Sequence, residues 1–157
     1  MQLLKRSRKR PKSGDIFTLR MTKVGYLFGR VVYAGISESH PLTSEAYMLY
    51  IYDIVSSNKG VDVSALPPDR LLIPPFFINR LPWIRGYFET LGNFPLTKSD
   101  MVKVHCFYDI PFDRYVDENG DNLPRRTDPC GMFGVMSYGF LDDALSDALG
   151  IERAPGD

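Results

Sequence analysis

Cysteine is scarce in this chain, which has only Cys106 and Cys130 among 157 residues. Two thiols cannot build the disulfide framework of a small secreted domain, and neither keeps a metal-ligand spacing with histidine. Histidine is equally scarce, with His40 and His105 alone. Long hydrophobic runs are missing too. The longest apolar stretch, Tyr47 to Val55, is broken by Asp53 and falls far short of the ~20 residues of a membrane-spanning helix. The basic N-terminus has no apolar run behind it, so it does not read as a secretory signal. A reducing cytoplasm is the expected location, with no membrane partner.

Net charge is absent as well, since 19 Lys and Arg balance 19 Asp and Glu. That zero hides an asymmetry. Lys5, Arg6, Arg8, Lys9, Arg10 and Lys12 are all basic, and they leave residues 13–157 with 13 basic against 19 acidic groups, a net of −6. An acidic body repels nucleic acid and attracts basic proteins. Residues 1–13 are expected to form a basic flexible arm, 14–150 a single β-rich domain and 151–157 a tail. Contact with nucleic acid is expected only through residues 1–12, whose charges cluster without an aromatic to stack a base.

What is present in quantity is aromatic. Phe, Tyr and Trp make up 13% of the chain, and 13 Gly and 12 Pro are spread along it as turns. That mixture suits a β-rich core. In the stretch Asp15 to Met21, Phe17, Leu19 and Met21 share one face while Thr18 and Arg20 share the other, the period of a half-buried strand. A short polar turn, Thr22 to Gly25, leads into a second strand with Leu27, Gly29, Val31 and Tyr33 inward and Arg30 outward. A strand glycine at position 29 marks a bend or a close approach.

Tyr47 to Tyr52 is apolar on both faces and reads as a central strand. Pro74 and Pro75 confine Phe76–Ile78 to an edge or a bend. Trp83 to Leu91 reads as another strand. Val102 to Tyr108 alternates, with Val102, Val104, Cys106 and Tyr108 inward and Lys103, His105 and Phe107 outward. Asp117-Glu118-Asn119-Gly120-Asp121 is a hairpin turn, since Asn-Gly accepts positive φ. The one helix is late, with an apolar stripe of Phe140, Leu141, Ala144, Leu145, Ala148 and Leu149. Asp142 and Asp143 are placed in its first turn, and Gly150 stops it. The fold class is therefore mainly β, a strongly bent sheet or small barrel-like fold with one C-terminal helix. An α+β arrangement is the alternative.

No group of residues looks like a reagent. Both histidines read as surface residues, Cys106 as a small core hydrophobe, and Cys130 as part of a turn without a base nearby. Asp117, Asn119 and Asp121 imitate the start of a calcium loop, but Gly120 comes at the fourth position instead of the sixth and Asp128 replaces the final glutamate. No cofactor or metal is expected. Tyr47, Tyr50, Tyr52, Phe76, Phe77 and Trp83 could line a groove, but an aromatic core accounts for them. The acids carry more weight as a partner-facing surface: Glu38 and Glu45 around one loop, Asp117, Glu118 and Asp121 in one turn, and Asp142, Asp143 and Asp147 on the helix.

The order of these elements resembles a known family. Lys12-Ser13-Gly14-Asp15-Ile16-Phe17, Gly25-Tyr26, Gly29-Arg30-Val31, Tyr50-Ile51-Tyr52-Asp53, Gly86-Tyr87-Phe88 and Gly92-Asn93-Phe94-Pro95-Leu96 are similar to the immunity protein 26 family of bacterial polymorphic toxin systems. Phe107-Tyr108-Asp109 and the Tyr115–Gly120 turn extend the likeness. The resemblance implies a mostly β protein, not an enzyme, that binds and neutralises a cognate toxin, with the matching glycines and aromatics forming the fold. Charge adds that the toxin should be basic. The alternative is a small-barrel nucleic-acid module anchored by the basic arm. An enzyme with a site assembled from distant residues ranks last.

Overall fold

A computed structural model describes residues 1–34, 40–42 and 45–156. Strands β1 (Asp15–Met21) and β2 (Gly25–Tyr33) form the expected hairpin. It pairs Phe17 with Gly29 and Leu19 with Leu27. β3 (Tyr47–Ile51) follows on β2 and is buried along its whole length. β4 (Phe76–Ile78), β5 (Glu89–Asn93) and β9 (Val135–Met136) complete a six-stranded sheet in the order β5-β1-β2-β3-β4-β9. β6 (Cys106–Asp109), β7 (Arg114–Val116) and β8 (Cys130–Met132) make a smaller sheet in the order β7-β6-β8. The protein is thus mainly β, with a C-terminal helix α2 (Tyr138–Leu149) and a one-turn helix α1 (Leu81–Arg85). The larger sheet does not close into a barrel.

The principal correction concerns the sheet faces. The opening strand was expected to be half-buried, yet only Arg20 of β1 is exposed. One face carries Phe17, Leu19, Met21, Leu27, Val31, Leu49 and Ile51, and is covered by Trp83, Phe88 and the α2 residues Leu141 and Leu145. The other carries Ile16, Phe28, Val32, Met48, Tyr50 and Tyr52, and is covered by Phe107, Val116 and the loops around Leu66 and Leu96. Two polar residues on this second face find partners inside the protein. Thr18 donates its hydroxyl to the Leu27 carbonyl at 2.8 Å, which removes most of the penalty of burying it. Arg30 is 1% exposed; it donates to the Phe94 carbonyl at 2.8 Å and faces Asp100 at 3.6 Å. The six aromatics weighed as a groove are all core.

Other elements differ locally. Trp83 lies in α1, not in a strand, because Pro82 occupies the first turn, where its fixed φ suits a helix. Gly86 then ends the turn in the left-handed conformation. Phe76–Ile78 is interior to the sheet, between β3 and the short parallel strand β9. The alternation from Val102 becomes strand only at Cys106. Upstream of it the Val102 N–H is taken by the Tyr50 hydroxyl, and Val104 is exposed. Helix α2 begins earlier than the apolar stripe suggested, with Ser137 accepting from the Phe140 N–H. Asp142 and Asp143 therefore fall beyond its first turn.

The basic segment is laid on the body instead of hanging free. Gln2 bridges to Arg20, the Leu4 N–H donates to Gly86, the Ser7 N–H donates to Trp83, and Pro11 is buried. No helix among the described residues is long and apolar enough to cross a membrane.

Candidate partner-binding surface

The hairpin turn after β7 is built by its own backbone. The Asp117 N–H donates to the Asp121 carbonyl, and the Gly120 N–H donates to that of Asp117. Gly120 has φ 83°, a conformation that glycine adopts without a steric penalty. The Asp117 carboxylate accepts from the N–H groups of Asn119 and Asp121 at 2.9 and 3.0 Å. This carboxylate fixes the turn. Asp121 is exposed.

Glu118 is held from beneath by a chain of side chains. The Tyr50 hydroxyl accepts from the Val102 N–H at 3.1 Å, so its own proton points to His105 Nε2 at 2.5 Å. His105 Nδ1 then carries the hydrogen that faces Glu118 Oε2 at 3.5 Å. The Tyr33 hydroxyl donates to the other carboxylate oxygen at 3.4 Å. The His105 hydrogen bond holds the Glu118 carboxyl below the usual glutamate range, against an opposing push from burial. Burial, and then Glu118, push the Tyr33 phenol up; burial likewise raises that of Tyr50. These tyrosines are hydrogen-bonding groups at neutral pH, not nucleophiles. His105 is 5% exposed, which corrects the surface position expected for it.

His40 ties the loop after β2 to the same turn. Its Nδ1 accepts from the Leu42 N–H at 3.0 Å, so Nε2 carries the hydrogen donated to the Glu118 carbonyl at 2.6 Å. Pro41 packs so closely on Gly120 that a Cβ there would lie 2.8 Å from its Cγ. Asp117, Glu118 and Asp121 are thereby joined to the loop that contains Glu45, which is itself exposed. Glu38, from the same loop, lies outside the described residues.

The helical acids are elsewhere and are neutralised internally. Asp142 pairs with the Met1 ammonium at 2.7 Å. Asp143 and Asp147 face Arg153 at 3.6 and 2.6 Å, and the Asp147 contact is a two-pronged guanidinium–carboxylate pair. The Arg153 hydrogen bond lowers the Asp147 carboxyl. The seven described acids are therefore not one patch.

Several features had little signal in the sequence. Arg30 Nε and the Tyr52 hydroxyl are buried without a hydrogen-bond partner. Burial pushes the Tyr52 phenol up to about 12 despite the nearby Arg30 charge. Cys130 lies in β8 opposite Cys106 of β6, with sulfurs 2.9 Å apart. Beside them a cavity of about 320 Å³ is lined by Ile73, Pro74, Tyr108, Met132 and Met136. Phe140, expected on the buried stripe of α2, is 55% exposed. Among the described residues no cluster of three His, Cys, Asp or Glu could hold a metal.

Among known families, the model described as immunity protein 26 matches residues 12–111. No curated protein and no solved structure matches the chain. The aligned region contains β1 to β6 and stops short of the Asp117–Asp121 turn and of α2.

Proposed function

This chain belongs to the immunity protein 26 family, and from that premise we propose that it binds and neutralises a cognate bacterial toxin in the cytoplasm of the producing cell. It acts by covering the toxin and makes or breaks no bond itself. The family match over residues 12–111 carries the reading. The contact surface is the acidic turn Asp117, Glu118 and Asp121, with Glu45 and Glu38 of the neighbouring loop. The toxin that fits it is basic. The α2 acids Asp142, Asp143 and Asp147 contribute less, because each already faces a cation.

A rigid acidic turn suits electrostatic steering, in which charge governs the rate of encounter more than the lifetime of the complex. The test is co-purification with the product of the adjacent gene, followed by association kinetics. Asp121→Lys leaves the turn's backbone bonds in place and should slow association on the order of threefold or more at low salt, with dissociation nearly unchanged. Asp143→Lys should have a smaller effect. Failure to bind any neighbouring gene product would overturn the proposal.

A further inference from the structure

The basic segment makes a concave surface that the immunity reading does not use. A cavity of about 450 Å³ is lined by Ser7, Lys9, Arg10, Lys12, Thr90 and Asn93, among others. One wall is the docked N-terminal segment and the other is β5, an edge of the larger sheet. The segment is fixed at both ends. Upstream, the Leu4 and Ser7 N–H groups bond to Gly86 and Trp83. Downstream, the Ser13 hydroxyl donates to Val32 at 2.7 Å, and Asn93 Nδ2 donates to the Ser13 carbonyl at 3.0 Å.

Lys5, Arg6, Arg8, Lys9, Arg10 and Lys12 are all exposed. None of them makes an ion pair among the described residues, whereas Arg30, Lys59, Arg114, Arg126 and Arg153 all do. Among the described residues the one acid in the cavity wall is Asp15, and it is 8% exposed. Its carboxylate accepts from the Lys12 N–H and from Asn93 Nδ2, both at 2.9 Å. It therefore holds the wall together and leaves the lysine and arginine head groups unpaired.

Seven peptide steps separate Lys5 from Lys12, at most about 25 Å when extended. Six cations over that length are too many for one small anion and suit a chain of regularly spaced charges. Three of them are arginines, whose planar forks match phosphate oxygens. An aromatic completes the arrangement. Phe94, 41% exposed, lies over Gly92 of the cavity wall, where a Cβ would sit 3.2 Å from its ring. The sequence placed no aromatic among the cations; the fold sets this ring against a glycine of the cavity wall.

We propose that residues 5–12, the edge of β5 and Phe94 form a binding site for single-stranded nucleic acid. The cations track the phosphodiester backbone and the Phe94 ring stacks a base. Site geometry of this kind, a basic groove beside an aromatic platform, binds with little sequence preference and with strong dependence on salt. The site is separate from the acidic turn, so toxin binding and nucleic-acid binding can be tested independently.

The probe is a fluorescein-labelled oligouridylate titrated with the full-length protein, read by anisotropy over a range of salt concentrations. Engagement of all six cations gives a log K against log salt slope of about −4, taking about 0.7 per neutralised phosphate. The triple variant Lys9→Ala/Arg10→Ala/Lys12→Ala should bind about tenfold or more weakly, with the slope reduced by about 2. Its unfolding midpoint should be unchanged, because these side chains make no internal bonds. Phe94→Ala should weaken oligouridylate binding without altering the slope, and should not affect competition by inorganic polyphosphate, which has no bases. Absence of saturable binding at low salt would overturn the proposal, as would a triple variant with the parental slope. Capture by phosphatidylserine vesicles but not by oligouridylate would assign the surface to membranes and equally reject it. Loss of toxin binding has no bearing on any of these outcomes.

Discussion

Replacing Gly29 by alanine probes the packing at the centre of the sheet. Gly29 lies in β2 opposite Phe17 of β1, and its backbone is in a region open to any residue, so space is the only obstacle. An added Cβ would sit 2.6 Å from Phe17 Cε2 and 2.7 Å from the Tyr50 carbonyl oxygen. Neither neighbour can retreat. The Phe17 ring is stacked on Phe88 at 4.5 Å and stands edge-on to Trp83 at 5.3 Å. The Tyr50 carbonyl belongs to β3, which is paired on both sides. Overpacking a rigid core costs about 1–3 kcal/mol, and two fixed obstacles put this case near the upper end. Alanine returns about 0.5–1 kcal/mol through the unfolded chain, which leaves a net loss of about 2 kcal/mol. For a chain of this size that lowers Tm by about 4–8 °C. Urea and thermal unfolding of Gly29→Ala, Phe17→Leu and the double variant would measure it. Removing the ring relieves one of the two clashes, so the double variant should be less destabilised than the sum by about 1 kcal/mol. A Gly29→Ala midpoint within about 0.5 kcal/mol of the parent, or strict additivity, would refute the reasoning.

Glu118 should give the folded state an acid-dependent component. Its carboxyl is lowered on folding, chiefly by the His105 hydrogen bond. Its contribution is therefore complete above the ordinary glutamate value of about 4.3 and is lost as pH falls through the lower folded value. Urea midpoints measured downward from pH 6 should fall less steeply in Glu118→Gln than in the parent; equal slopes would reject the pairing. The Cys130 thiol is pushed up to about 12 by burial and by Cys106, so little thiolate exists near neutral pH. Iodoacetamide should therefore label neither cysteine of the native protein appreciably within the time that fully labels the urea-unfolded chain. Rapid native labelling at Cys130 would contradict that environment.

Much of the fold was legible because its signals are local. The β1–β2 hairpin, the doubly apolar β3, the Asn-Gly turn and the Gly150 stop of α2 each follow from a few neighbouring residues. What failed depends on what lies above the sheet. Thr18 and Arg30 read as solvent-facing because they are polar, yet loops and the smaller sheet cover them. Thr18 is satisfied by its neighbour's carbonyl, and Arg30 is held, though with Nε left unpartnered, by the Phe94 carbonyl and Asp100. His105 failed similarly, since its partners Tyr50 and Glu118 are distant in the chain. Trp83 suggested a strand by residue type, whereas Pro82 and Gly86 set a helical turn around it. At the candidate surface, the grouping of Asp117, Glu118 and Asp121 was visible as a run. Their attachment to the His40–Leu42 segment was not, nor was the pairing of the α2 acids with Arg153 and the N-terminus.

The two-sided burial of the central strands limits where any partner can dock. Most side chains of β1, β2 and β3 belong to one of the two cores, so both faces of the larger sheet are largely covered. The two surfaces proposed for recognition lie at the rims: the turn and loop at Asp117–Asp121, and the edge strand β5 with its docked cations. These rims have opposite charge, which segregates an acidic and a basic surface on a chain whose formal charges cancel. At both places the exposed groups lie outside the hydrogen bonds that hold the backbone. Asp121 presents its side chain from a turn fixed by Asp117, and Lys9, Arg10 and Lys12 project from a segment fixed by Asp15, Ser13 and Asn93. Charge can therefore be reversed at either rim without disturbing the groups that hold it in place, so lost binding there reports on recognition and not on unfolding.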